Sequence, residues 1–319
     1  MPHWMIKSAL QRGISWLPRS QFWNGQFQRW VTRSTELPES AFCVKLEEGQ
    51  RYLGAVREAV GAGEPFRALE VGTGWYPTIP VAMYLCGAEQ VFTIDIDPLL
   101  SGGRLATMIE HFQRLGEAGR LDQFLPGFDP DRLRKVVGLL PVVRSARPEK
   151  LLETIGIRCL LGDARSTGLP DGSIDLFFSS GVLEYIPRPV LEGILRESAR
   201  LASRRFASIH RLNLVDQFSY FDKSITPFNF LKFTPRQWKW ANSPLIWQNR
   251  LRISDYRELF TGAGMEVVGE DNTLGRAEDL ARVKLAREFQ GYREDDLLVL
   301  HSYIRARMAG GSVGGQPIA

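Results

Sequence analysis

The sequence predicts a doubly wound α/β fold on a mostly parallel sheet, and two stretches carry that prediction. In residues 68–97 a short apolar run (Ala68, Leu69, Val71) enters a glycine turn at Gly72 and Gly74. An apolar helical segment, Pro80 to Leu85, follows. A second β-like run, Gln90 to Ile94, then delivers Asp95, twenty-one residues after Gly74. That strand–glycine turn–helix–strand–acid unit is the layout of a nucleoside-binding βαβ module. Glycine lets backbone N–H groups approach a ligand closely, and an acid at the second strand's end accepts both hydroxyls of a ribose. The second stretch begins at Ile157, where apolar runs and helical segments alternate again.

In order, Glu48 to Ala62 reads as a helix with Tyr52, Leu53, Val56 and Val60 on one face, ended by Gly61 and Gly63. Phe66 to Val71 is the first strand, Ile79 to Cys86 a helix capped by Gly87, and Gln90 to Ile94 the second strand, stopped by Pro98. From Leu99 to about Gly156 the pattern is helical, with Leu105, Met108, Ile109 and Phe112 on one face and a further helix over Pro130 to Leu140. This is too long for an ordinary connection and reads as an inserted helical subdomain. Ile157 to Leu161 and Ile174 to Ser179 are strands, Val190 to Leu201 a helix, and Arg205 to Ile209 a strand that His210 follows. An aromatic, Asn-rich segment spans 210–250, then come a helix over Ser254 to Ala263 and strands at Met265 to Val268 and Leu297 to Ile304. The domain division expected is an N-terminal helical cap over 1–47, a main domain over 48–305 carrying the 99–156 insertion and a substrate lid over 211–252, and a flexible Gly-rich tail over 306–319.

Composition bounds the partners. The 319 residues are 44% hydrophobic and 24% charged, ordinary for a globular protein, and the net charge of +4 gives no case for nucleic acid. Cys43, Cys86 and Cys159 are scattered and lack metal spacing, so they read as reduced thiols of a cytoplasmic protein, and no metal is expected. No run of about eighteen apolar residues exists, and the N-terminus lacks a secretory pattern. The first 35 residues hold Lys7, Arg12, Arg19, Arg29 and Arg33, no acid, and Trp4, Trp16, Trp23 and Trp30. Such a segment suits peripheral membrane contact, or a helical cap packed on the main domain, with Gly13, Pro18 and Gly25 interrupting any long helix.

Four signals stand in order: Glu70-x-Gly72-x-Gly74, then Asp95, then Gly162-Asp163-Ala164, then the run Leu169-Pro-Asp-Gly-Ser-Ile174-Asp-Leu-Phe-Phe-Ser-Ser180-Gly-Val-Leu-Glu-Tyr-Ile186. In these the chain resembles the class I S-adenosylmethionine-dependent methyltransferases, over about residues 66–97 and 157–209. A dinucleotide-binding oxidoreductase shares the first glycines but wants a third where Pro77 stands. The resemblance implies a Rossmann-like seven-stranded sheet whose last strand is antiparallel, and S-adenosyl-L-methionine as cofactor. It implies that Gly72, Thr73 and Gly74 approach the methionine and ribose portion, and that Glu70 reaches the methionine ammonium. Asp95 then takes the ribose hydroxyls with Ile96 beside it, Asp163 and Ala164 address the adenine, and Ser180 and Gly181 line the methionine end.

Methyl transfer from a sulfonium needs a positioned nucleophile and, for oxygen or nitrogen, often a base. His210, just past the fifth strand, and Glu184 and Tyr185, past the fourth, are the candidates; transfer by proximity alone needs none. The aromatic 211–252 segment, with Asn213, Tyr220, Trp238 and Arg250, suits a polar molecule with a ring or apolar face, or forms a small core of its own. Arg250 and Arg252 are candidate anchors for a carboxylate or phosphate. The expected activity is O-methylation of a small organic molecule or glycan in biosynthesis. The alternatives are a lipid-linked or membrane-proximal substrate, or a non-catalytic cofactor-binding regulator. Past the fourth strand Ser179-Ser-Gly-Val182 replaces a base-flipping Asn-Pro-Pro-Tyr motif, which argues against nucleic acid. A monomer and a homodimer both fit.

Overall fold

The structure, a computed structural model, describes residues 36–242 and 247–310. The tryptophan-rich N-terminal stretch and most of the Gly-rich tail lie outside the described residues.

Helix α1 (Glu39–Val60) runs on a stripe of Phe42, Leu46, Leu53, Val56 and Val60 and ends at Gly61, whose φ of 101° suits only glycine. It starts nine residues before the expected Glu48, because Phe42 and Leu46 extend the stripe through the proposed cap boundary. There follow β1 (Phe66–Val71), α2 (Thr78–Leu85), β2 (Ala88–Asp95), α3 (Gly102–Glu117), α4 (Leu121–Phe124), α5 (Pro130–Val137), α6 (Pro148–Glu153) and β3 (Ile157–Leu161). Then come β4 (Ile174–Ser180), α7 (Arg188–Leu201), β5 (Ala202–Asn213), α8 (Pro235–Ala241), α9 (Ile253–Gly262), β6 (Met265–Leu274), α10 (Ala277–Ala281), α11 (Glu294–Leu298) and β7 (Val299–Met308).

The strands form one sheet in the order β3-β2-β1-β4-β5-β7-β6. Pairs from β3 through β5 are parallel, and β7 is antiparallel to both β5 and β6. The chain reverses its direction of travel across the sheet between β1 and β4, so the crevice outside their carboxyl ends is where an open α/β sheet takes its ligand.

Alternation along the strands divides the core. Ala68, Val91, Leu176, Phe178 and Ile209 pack under α1, α2 and α3, while Leu69, Ile94, Phe177, Leu212 and Ile304 pack against α7 and α9. The 99–156 interruption joins the first of these layers: Leu105, Phe112, Leu121 and Val136 share its core, and Phe112 meets Phe42 edge-on at 4.8 Å. A third cluster, with Phe218, Phe228, Phe230, Trp238, Phe289 and Leu297, gives the 211–252 segment a core that it shares with residues 280–297. Polar residues Glu70, Thr93, Asp95, Ser180, Arg211 and Asn213 occupy the α1-facing side of the strands near their carboxyl ends, and they mark the site.

Candidate functional site

The glycine turn is fixed to β2 by short-range bonds. Gly72 N–H donates to Ile94 O at 2.8 Å, and Gly74 N–H donates to Asp95 Oδ2 at 2.9 Å. Asp97 N–H holds the other Asp95 oxygen at 3.1 Å, so the carboxylate is locked beside the loop with lone pairs to spare. Gly72 (φ 92°) and Gly74 (φ 60°) both need the left-handed region. A Cβ on Gly72 would stand 2.5 Å from Val182 Cγ2, whereas one on Gly74 would meet nothing within 4 Å. Gly72 therefore serves packing, and Gly74 keeps the loop open toward a ligand.

Beneath the loop Thr73 and Thr93 hydroxyls meet at 2.7 Å, and Thr93 donates to Glu70 Oε2 at 3.0 Å. Burial pushes the Glu70 carboxyl up to about 8, with the Thr93 bond and Lys45 pulling the other way. A cation arriving here would turn a neutral acid into its counter-ion. A cleft of about 300 Å³ opens between the loop, the Asp95–Pro98 turn, α6 and the end of β3. Ile96 and Leu161, at the ends of neighbouring strands, are 76% and 65% exposed. Open glycine, a braced carboxylate and two exposed aliphatic side chains fit a nucleoside.

At the other end α1 reaches over β4. Lys45 Nζ donates to Ser180 Oγ at 2.6 Å and to Glu48 Oε2 at 2.8 Å, and Ser180 Oγ donates to the same Glu48 oxygen. Arg211 Nε lies 3.3 Å from Glu48 Oε1. Past Gly181 (φ 67°) the chain turns so that Glu184 Oε1 and Arg211 Nη1 each sit 3.5 Å from where a Gly181 Cβ would be. Glu184 is 1% exposed and neither carboxyl oxygen has a well-formed hydrogen bond. Burial pushes its carboxyl to about 8, against the opposing pull of nearby backbone amides, Arg211 and Lys45. Asn249 holds this turn: its Nδ2 donates to Leu183 O and Ile186 O at 2.9 Å, and its N–H donates to Glu184 O at 2.8 Å.

A family profile described as a methyltransferase domain matches residues 137–205, the stretch that carries α6, β3, β4, the Ser180–Glu184 turn and α7. Over that stretch the chain is similar to the methyltransferase-domain family. Its fold is similar to that of a geranyl diphosphate C-methyltransferase from Streptomyces coelicolor A3(2), at 10% identity and a TM-score of 0.45, covering 82% of this chain and 77% of that one. It is also similar to an S-adenosylmethionine-dependent methyltransferase from Mesorhizobium loti, at 14% identity and a TM-score of 0.43, covering 82% and 99%. No curated protein matches the sequence significantly.

The fold places Thr73, Gly74 and Asp95 in the cleft lining, with Glu70, Gly72 and Ile96 next to them in the chain, and Ser180, Gly181 and Glu184 at the far end, on one edge of the sheet. Other expectations need correcting. His210 lies inside β5, fully buried, with Nδ1 2.8 Å from Ser179 Oγ and Nε2 2.9 Å from Ser208 Oγ. It packs with Phe177 and Phe260 on the face opposite α1. Burial lowers its pKa to about 3, so it is a neutral core residue on the face away from the cleft. Arg250 donates to Phe230 O at 3.0 Å and also bonds Phe233 O and Glu288, while Arg252 bonds the carbonyls of Leu214, Leu297 and Val299. Both arginines are structural braces. Asp163 is half exposed and grips Arg165, whose bonds hold its carboxyl below the usual range. It and Arg165 border a shallow depression against α7 instead of the cleft, with Ala164 between them. Tyr185 is 40% exposed beside Glu184.

Sequence reasoning missed Lys45, Glu48 and Arg211. Only the pairing of Ser180 with Arg211 across β4 and β5, under α1, brings them together. Among the described residues no group of three or more His, Cys, Asp or Glu is arranged to hold a metal ion, and no helix is long and apolar enough to cross a membrane.

Proposed function

We propose that the methyltransferase methylates an oxygen on a small organic molecule or glycan, with Glu184 accepting the hydroxyl proton. The observation that supports this reading is the buried Glu184 carboxyl, without a well-formed hydrogen bond, beside Gly181 just past the end of β4. The bound cofactor supplies the activated methyl group. Asp95 would hold the ribose hydroxyls and Ile96 and Leu161 would flank the base, while Ala164 and Asp163 would address its edge only with Arg165 displaced from Asp163. Glu70 ionises against the methionine ammonium. Ser180, fixed by Lys45 and Glu48, and Gly181 shape the path along which the acceptor oxygen approaches the methyl carbon in line. Burial holds the Glu184 carboxyl up at about 8 against the pull of backbone amides, Arg211 and Lys45, so the carboxylate grows in as pH approaches 8 and its proton affinity matches a general base. Tyr185 and Tyr220, 40% and 48% exposed, offer ring faces to the acceptor.

The test is titration calorimetry with S-adenosylmethionine and S-adenosylhomocysteine, followed by an acceptor screen reading methyl release by wild type and Glu184→Gln. Binding without any turnover on hydroxyl acceptors would remove the O-methylation reading. The basic, tryptophan-bearing residues 1–35 support a second reading, a membrane-proximal acceptor. Sedimentation with anionic liposomes, with and without residues 1–35, separates the two: loss of sedimentation on deletion favours the second.

A further inference from the structure

We propose that the acceptor is a small hydroxy acid whose carboxylate is held by Arg211, with His301 and Asn213 beside it; this rests on the methyl-transfer reading above. Sheet register builds the subsite. Arg211 on β5 is paired with Ser180 on β4 and with Tyr303 on β7, and two residue pairs further toward the carboxyl end of β5 Asn213 is paired with His301. These side chains share the α1-facing side of the strands, which also bears Glu70 and Asp95. Tyr220 Oη donates to Asn213 Oδ1 at 3.4 Å, which closes the row from the 217–220 turn. His301 is half-buried, and its Nδ1 is buried without a hydrogen-bond partner. Gln217, in the same turn as Tyr220, leaves Nε2 in the same condition.

Charge points to an anion. Glu48 is the single carboxylate shared by Lys45 and Arg211, while Arg51 on the next turn of α1 is taken by Asp271. Two cations, Lys45 and Arg211, thus share one carboxylate in a largely enclosed place, which favours a second anion. Burial and then Arg211 depress the His301 pKa, so this ring acts as a neutral hydrogen-bonding group. A guanidinium already shared with Glu48 and flanked by the polar Asn213 and His301 matches a planar, singly charged carboxylate better than a phosphate, which favours several cations.

The same geometry limits where the hydroxyl stands. Arg211 Nη1 and Glu184 Oε1 approach one point above Gly181, each at 3.5 Å. A carboxylate on the first and a hydroxyl on the second must be close together in the acceptor. An anion anchored on Arg211 thus presents its neighbouring hydroxyl to Glu184.

The experiment is calorimetry on the full chain saturated with S-adenosylhomocysteine, titrated with salicylate, mandelate and 2-hydroxyhexanoate and with the primary amide of each. Wild type should bind at least one acid ten-fold or more tighter than its amide. Arg211→Gln should erase that preference while keeping the S-adenosylhomocysteine Kd within three-fold, Arg211→Lys should keep part of it, and His301→Gln should weaken the acid several-fold. The proposal fails if no acid is preferred over its amide. It also fails if Arg211→Gln weakens the nucleoside ligand and not the acid, which would give Arg211 to the cofactor's own carboxylate. If Arg211→Gln does not fold, Arg211→Lys decides by the same two criteria. Absence of S-adenosylhomocysteine binding by wild type, measured first, would instead sink the methyltransferase reading itself.

Discussion

At Glu184 two demands meet in one carboxyl group. It is 1% exposed, which favours the neutral form, and Arg211 and Lys45 favour the charged one. With a pKa near 8, the rate of an O-methylation that uses it as base should rise with pH and level off above that value. Glu184→Gln is expected to lower kcat by about two orders of magnitude and to remove the rising limb, leaving S-adenosylhomocysteine affinity unchanged. A pH–rate profile with the limb intact in the variant would give the proton to another group or to water. Asp95 makes a different kind of contribution, because it holds Gly74 N–H and, in the proposed reading, also takes the ribose. Asp95→Ala is expected to weaken S-adenosylmethionine binding by at least about ten-fold, the scale of one charge-assisted hydrogen bond, measured by calorimetry.

At the scale of elements, the two loop glycines should separate folding from binding. Gly72→Ala places a methyl 2.5 Å from Val182 at φ 92°, so a cost of about 2–4 kcal/mol in denaturant unfolding is expected. Gly74→Ala meets open space at φ 60° and should cost about 1 kcal/mol while weakening the cofactor more than the fold. Equal losses of stability would mean that Val182 moves aside. The same contrast explains what the sequence revealed. β1 and β3 were legible to the residue because apolar runs with nearby glycines define them, and the glycine-to-acid spacing lies within one βαβ unit. β5 runs on to Asn213 and β6 to Leu274, past the expected ends, because the residues facing the site or the solvent are polar there and break the apolar run. That early ending placed His210 after a strand when it stands within one. The acceptor end was illegible for a related reason: Lys45, Ser180, Arg211 and His301 come from α1, β4, β5 and β7, and only register unites them.

For the whole molecule, the buried acids and the net charge pull stability in opposite directions with pH. The chain carries +4 at pH 7 and a pI near 9.0, so self-repulsion declines as pH rises and would by itself make an alkaline shift stabilising. Glu70 and Glu184 act the other way. Their folded pKa values, about 8, exceed the unfolded value near 4.5, so their contribution is complete below about pH 4.5 and is lost as pH climbs through 8. Each costs about 1.4 kcal/mol per pH unit while the folded form stays protonated and the unfolded form is ionised. His210 has the reverse sign: its folded pKa of about 3 lies below the unfolded value of 6.5, so its contribution is present above 6.5 and lost on acidification through 3. Between pH 6.5 and 8 the histidine is flat and the two glutamates dominate. The Tm of wild type is therefore expected to fall across that window, despite the approach to the pI, and Glu70→Gln with Glu184→Gln should flatten it or reverse its slope. A Tm that rises in wild type over pH 6.5 to 8 would show that both carboxyls are already ionised in the folded chain. It would leave Glu184 a standing charge in place of a proton acceptor.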